Sequence, residues 1–220
     1  MERDSSLRDG MRAALPLTLP VLAFGISFGV VAQPIIGGLA TSVMSAIVLA
    51  GAAQVAAITV IDSGGGVAAA VAAGLLMNAR FLPMSFAVAP ALKGGRGRQA
   101  LEAQTIVDAS FVLAGRGGGR FSRGMLIGSW TPQTAAWIGG TVIGVLLGEL
   151  IPDPQTLGLD ALFPAFFLTL LVTDVRVTGT RRTLAVIALA AAITAALLPI
   201  APAGLPVILA AAAALVGLRR

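Results

Sequence analysis

Seven long apolar stretches, at 15–33, 39–61, 66–92, 124–150, 158–175, 183–200 and 203–218, occupy most of the chain and are joined by short polar loops. Leu, Ala, Val and Ile run through them without the period-two alternation of a lipid-facing barrel strand. An apolar stretch of about 20 residues crosses the hydrocarbon core as a helix. The pattern therefore predicts an all-α, polytopic membrane protein of about seven hydrophobic helical segments. A tail at 1–14 precedes a single transmembrane domain over 15–220.

Either one of these segments is broken or re-entrant, or the charge bias fails in the N-terminal half. Basic residues favour the cytoplasmic side of a membrane, and both the N-terminus (Arg3, Arg8, Arg12) and the loop Lys93–Arg98 are basic. Three apolar stretches separate them, where an even number of crossings is needed. The stretch 66–92 is the strongest candidate, because Asn78, Arg80 and Pro83 interrupt it. Pro83 lacks an N–H and crowds the carbonyl of Ala79, which kinks or breaks a helix. An eighth, shorter segment at 99–115 puts Gln104, Thr105 and Asp108 on one face. It is too short and too polar for a lipid-facing span.

Composition sharpens the picture. Apolar types make up 57% and charged types 11%, far below the roughly 25% charged of a soluble domain. The net charge of +5 does not point to nucleic acid, since the cations sit in loops beside apolar stretches. Arg116, Arg120 and Arg123, then Arg176, Arg181 and Arg182, then Arg219 and Arg220 alternate with loops holding Glu149, Asp153 and Asp160 or no charge. That alternation places the C-terminus in the cytoplasm of a bacterial inner-membrane protein. No small-residue cleavage site follows the first stretch, which reads as a retained signal anchor. There is no cysteine, hence no disulfide and no thiolate metal site.

Catalytic chemistry finds little support. Gly25-Ile26-Ser27-Phe28-Gly29 matches a nucleophile elbow, but that pattern needs a strand-to-helix turn and a histidine base, and the chain has no histidine. No nucleotide loop, metal ligand set or cofactor motif is present, and an aspartyl pair of Asp108 and Asp174 stands without other support. The expectation is a protein that is not an enzyme. Gly25 and Gly29, with Gly140, Gly144 and Gly148, have the spacing that lets helix backbones approach closely in lipid.

The polar residues inside apolar stretches are the candidate site: Gln54, next to the small residues Gly51-Ala52-Ala53, then Asn78, Arg80 and Asp108. An arginine at mid-span costs about 2.5–3.5 kcal/mol on insertion scales, so Arg80 calls for a counter-charge, and Asp108 is the obvious one. The alternatives are a snorkelling Arg80, interhelical hydrogen bonds from Gln54 and Asn78, and a helix-capping Asp108. A broken helix flanked by polar side chains is how transporters hold a small charged solute. An amino acid would offer its carboxylate to Arg80 or a helix N-terminus and its ammonium to Asp108 or freed carbonyls.

At these residues the chain resembles the AzlC family, the large subunit of two-component branched-chain amino acid exporters. The resemblance runs through Pro20, Phe24-Gly25, Phe28-Gly29, Ala50-Gly51-Ala52-Ala53-Gln54, Met77-Asn78-Ala79-Arg80, Pro90, Val107-Asp108 and Gly158-Leu159-Asp160-Ala161-Leu162-Phe163-Pro164-Ala165-Phe166. It implies export of valine, leucine, isoleucine and methionine by a secondary carrier driven by the proton gradient, with a small membrane subunit of the AzlD type. Gly51, Gln54, Asn78, Arg80 and Asp108 would bind substrate, and a homo-oligomer stays open. Two positions depart from the family: Ala109 where an acidic residue is common, and Phe81 where histidine is common. Two other readings stand beside the carrier: a scaffold whose partner carries the substrate, and a permease half driven by an ATPase. Leu101-Glu102-Ala103 faintly resembles a loop that docks such an ATPase.

Overall fold

The computed structural model describes residues 6–117, 119–148 and 181–200, together with positions 165, 168, 172, 175, 209, 210 and 213. Most of the expected stretches at 158–175 and 203–218, the C-terminal arginines, Asp174 and most of the motif at 158–166 lie outside them. Among the described residues the secondary structure is helical, with no strand and one isolated antiparallel bridge between Gly115 and Phe121.

Helix α1 (Leu7–Ile36) starts well before the first apolar stretch. Ser6 explains this: its hydroxyl accepts the Asp9 N–H (3.3 Å), and the Asp9 carboxylate accepts the Ser6 N–H (2.9 Å). This reciprocal cap carries Arg8 and Arg12 into the helix. At 30 residues and about 1.5 Å per residue, α1 exceeds the roughly 30 Å hydrocarbon core. Among the described residues it is the one helix long and apolar enough to cross a membrane unaided.

Two of the expected stretches are each divided. The stretch 39–61 becomes α2 (Gly38–Val48) and α3 (Gly51–Asp62), separated at Leu49, whose φ of 49° is left-handed. Nothing in the hydropathy pattern marks that break, and no proline lies near it. The stretch 66–92 becomes α4 (Val67–Asn78) and α5 (Phe81–Val88), followed by a short 3₁₀ turn at Ala89–Ala91. The break falls at Ala79–Arg80 for the reason Pro83 suggests. The Ala79 carbonyl cannot bond residue 83 and accepts the Leu82 N–H instead, at 3.1 Å. Together α4 and α5 are apolar enough for one broken span.

The segment 99–115 is likewise two helices, α6 (Arg96–Ala103) and α7 (Asp108–Ala114). They are followed by α8 (Arg123–Leu147), capped by Ser122, and later by α9 (Arg181–Leu197). The chain divides into two compact units. The first takes in the described residues of Met1–Gly51 and Asn78–Pro154, the second those of Ala52–Met77 and Gln155–Arg220.

Within the first unit α1 packs along α8, and glycines make the seam. A Cβ on Gly128 would lie 3.1 Å from the Gly10 Cα, one on Gly140 3.1 Å from the Gly25 Cα, and one on Gly144 3.0 Å from the Gly29 Cα. The residue numbers rise together, so the two helices run parallel. Phe28 stacks on Trp137 beside the seam, ring centres 5.7 Å apart. Helix α2 turns back along α8: Gly38 lies against Val145, and the buried Ser45 Oγ is 3.0 Å from Thr141 Oγ1, one turn nearer the start of α8. At the starting end of α8, Val88, Ile106, Ala114 and Leu126 form a small apolar core, with the Phe111 and Phe121 rings 4.8 Å apart beside it.

Candidate functional site

Arg80 precedes the first turn of α5, and Asp108 opens α7. Arg80 Nη2 donates to Asp108 Oδ2 at 2.9 Å, and each side chain retains 28% of its exposure. Of the two arrangements open to Arg80, the structure shows the pair with Asp108. Asp108 has two favourable environments at once, the guanidinium and the positive end of the α7 dipole. The guanidinium also lies over the Phe81 ring, 5.0 Å from its centre, a cation–π contact made by a residue at which the chain departs from the family pattern.

Asn78 ends α4, two residues before Arg80, and its Oδ1 is buried without a hydrogen-bond partner among the described residues. The expected interhelical hydrogen bond to that oxygen is therefore not made. Gly51 and Gln54 lie at the other break. Gly51 is the first residue of α3, and Gln54, one turn on, is fully buried.

The environments of two residues in the first unit escaped sequence reasoning. Glu102 looks like an ordinary surface carboxylate on a basic segment, yet its side chain is 8% exposed. It accepts from Arg98 Nε at 2.9 Å and from Arg123 through Nε at 2.8 Å and through Nη2. Bonding to Arg123, helped by Arg98 and a backbone N–H at Lys93, holds its carboxyl down at about 2 against an ordinary 4.5, with desolvation opposing. The spacing of Glu102 from Arg98, one helical turn, was the available signal; its bond to Arg123 had none. The second residue is Trp130 on α8, whose Nε1 is buried without a partner among the described residues. A tryptophan in a long apolar stretch reads as packing or as an interfacial anchor, so the sequence did not single it out.

Among the described residues no group of three or more acidic or imidazole side chains could hold a metal. What the arrangement offers is one cation and one anion in contact, held at the N-termini of two short helices, with an unmet acceptor two residues before Arg80 in the chain. Residues 16–151 match the family model described as AzlC protein, and the chain belongs to the AzlC family. It is a membrane transporter component, of a family associated with branched-chain amino acid transport. No curated protein and no solved structure matches it.

Proposed function

We propose that the chain is the large, multi-pass subunit of an exporter for branched-chain amino acids and methionine, driven by the proton gradient. A small membrane subunit of the AzlD type completes it, and the chain itself catalyses no covalent reaction. The observation that carries this reading is the Arg80–Asp108 pair at the break between α4 and α5. Insertion scales charge about 2.5–3.5 kcal/mol for an isolated arginine at mid-span, and a pair offers complementary charges to the two ends of a zwitterion. Gly51 and Asn78, in the same unit as the pair, complete the candidate binding set there, and Gln54 is a further candidate contact from the other unit's own residues. The starts of α1 and α8 face the cytoplasm in this reading, as does the C-terminus, because their basic residues favour that side.

The ATPase-driven alternative rests on one sequence feature, the segment Leu101-Glu102-Ala103, in which Glu102 is engaged by Arg98 and Arg123 within the chain. The test is efflux from vesicles preloaded with labelled valine, leucine, isoleucine or methionine, with and without the small subunit and a protonophore. Efflux that requires both subunits and stops with the protonophore supports the proposal. Absence of efflux for all four, with both subunits present in the membrane, refutes the substrate assignment.

A further inference from the structure

Buried polar atoms in folded proteins nearly always find hydrogen-bond partners, and one left without destabilises the fold. The first unit holds an acceptor and a donor of this kind, Asn78 Oδ1 and Trp130 Nε1. Asn78 is two residues from Arg80. Trp130 lies on α8, the helix against which α7 packs. The Ser122 N–H donates to the Ala114 carbonyl at 2.9 Å, closing the turn between α7 and α8, and the two helices pack together. From that turn, Asp108 lies about 9 Å back along α7 and Trp130 about 12 Å along α8, at roughly 1.5 Å per residue.

We propose that Trp130 belongs to the Arg80 site and that the two orphaned atoms are ligand contacts: Trp130 Nε1–H donates to the substrate carboxylate, and Asn78 Oδ1 accepts from its ammonium. Either atom alone fits many solutes. A buried acceptor and a buried donor, added to an Arg–Asp pair, fit a zwitterion best, because its ammonium has only donors and its carboxylate only acceptors. The side chain of such a ligand makes no demand on these polar atoms. On this assignment the polar site recognises the α-amino acid group, and selection among side chains lies elsewhere. The assignment rests on the transport reading above and names which atoms hold the substrate.

The experiment is equilibrium binding of labelled leucine to the full chain, reconstituted in nanodiscs with its small subunit. Unlabelled leucine, 4-methylpentanoate (no ammonium) and isoamylamine (no carboxylate) compete. Asn78→Leu should weaken leucine about tenfold, as expected for one hydrogen bond to a charged group, while leaving the inhibition constant of 4-methylpentanoate unchanged. Trp130→Phe keeps an aromatic ring and should weaken leucine and 4-methylpentanoate alike, sparing isoamylamine. If both variants bind leucine as the native chain does, or lose all three ligands in parallel, the assignment is overturned and the transport reading stands. If the native complex binds none of leucine, isoleucine, valine and methionine, the substrate reading fails and this assignment with it.

Discussion

Gly139 and Gly140 are neighbours on α8, yet a methyl group should act on them in opposite directions. A Cβ on Gly139 meets nothing within 4 Å, whereas one on Gly140 would lie 3.1 Å from the Gly25 Cα, 3.1 Å from the Ile26 N, and closer still to the Leu22 carbonyl oxygen. All three are backbone atoms of α1, so no rotamer change relieves the clash. The helices must part, and the shift also loosens the Phe28–Trp137 stack. Overpacking of this kind costs about 1–3 kcal/mol, and the gain in helix propensity from Gly to Ala returns about 1 kcal/mol. Gly140→Ala should therefore destabilise by up to about 2 kcal/mol, while Gly139→Ala, with only the propensity gain, is neutral or stabilising by up to about 1 kcal/mol. Reversible unfolding of the purified chain in mixed micelles, followed by circular dichroism, measures both. Gly25→Ala repeats the test from the other helix, since its Cβ would lie 2.5 Å from the Trp137 carbonyl oxygen. Because both changes push on one contact, the double variant should cost less than the sum of the singles. Equal responses at Gly139 and Gly140, or strict additivity of Gly25→Ala with Gly140→Ala, would refute a backbone-to-backbone seam at this point.

Removing one partner of a fully buried pair costs about 3–5 kcal/mol; with 28% exposure on each side, Asp108→Ala should cost less than that while abolishing leucine efflux. The exchange Arg80→Asp with Asp108→Arg should recover assembly, read by gel filtration, but not transport; recovery of both would mark the pair as structural only. Glu102 supplies an acid dependence. Its folded carboxyl titrates at about 2 and its ordinary value is 4.5, so its contribution is whole above about pH 4.5 and disappears as pH falls towards 2. Glu102→Gln should thus lower the melting temperature at pH 7 and match the native chain increasingly well below pH 4; a gap that stays constant with pH would rule out this linkage.

The membrane class was legible because composition and stretch length depend on little beyond solvent. The break near Arg80 was legible too, since Pro83 removes a backbone donor wherever it sits in a helix. The break at Leu49 was not. It occurs in uniformly apolar sequence and rests on a left-handed leucine, a conformation that single-residue preference disfavours and that packing must hold in place. Pairing of Arg80 with Asp108 followed from the cost of a lone charge in lipid. The Glu102–Arg123 contact did not, because it joins residues of two elements whose approach depends on the intervening turn. Gly25, Gly29, Gly140 and Gly144 announced close helix contacts; that they contact one another, in parallel, was not encoded in their spacing.

That parallel seam removes the difficulty posed by the basic residues of the N-terminal half. The start of α1, with Arg8 and Arg12, lies beside the start of α8, because Gly10 meets Gly128. The Arg98–Glu102–Arg123 cluster ties α6 to the same end of α8. Three groups of cations far apart in sequence therefore share one end of the first unit. If that end faces one aqueous phase, the chain between α1 and α6 must return to the side from which it left. Three intact spans cannot do this. Two divided stretches, α2–α3 and α4–α5, supply half-length pieces that can turn within the bilayer, and such turns are tolerated only where protein or a wet cavity covers the freed backbone. The same breaks carry Gly51, Gln54, Asn78 and Arg80. In the proposed reading the chain reverses inside the membrane, and the breaks at which it does so are the ones that carry these polar residues.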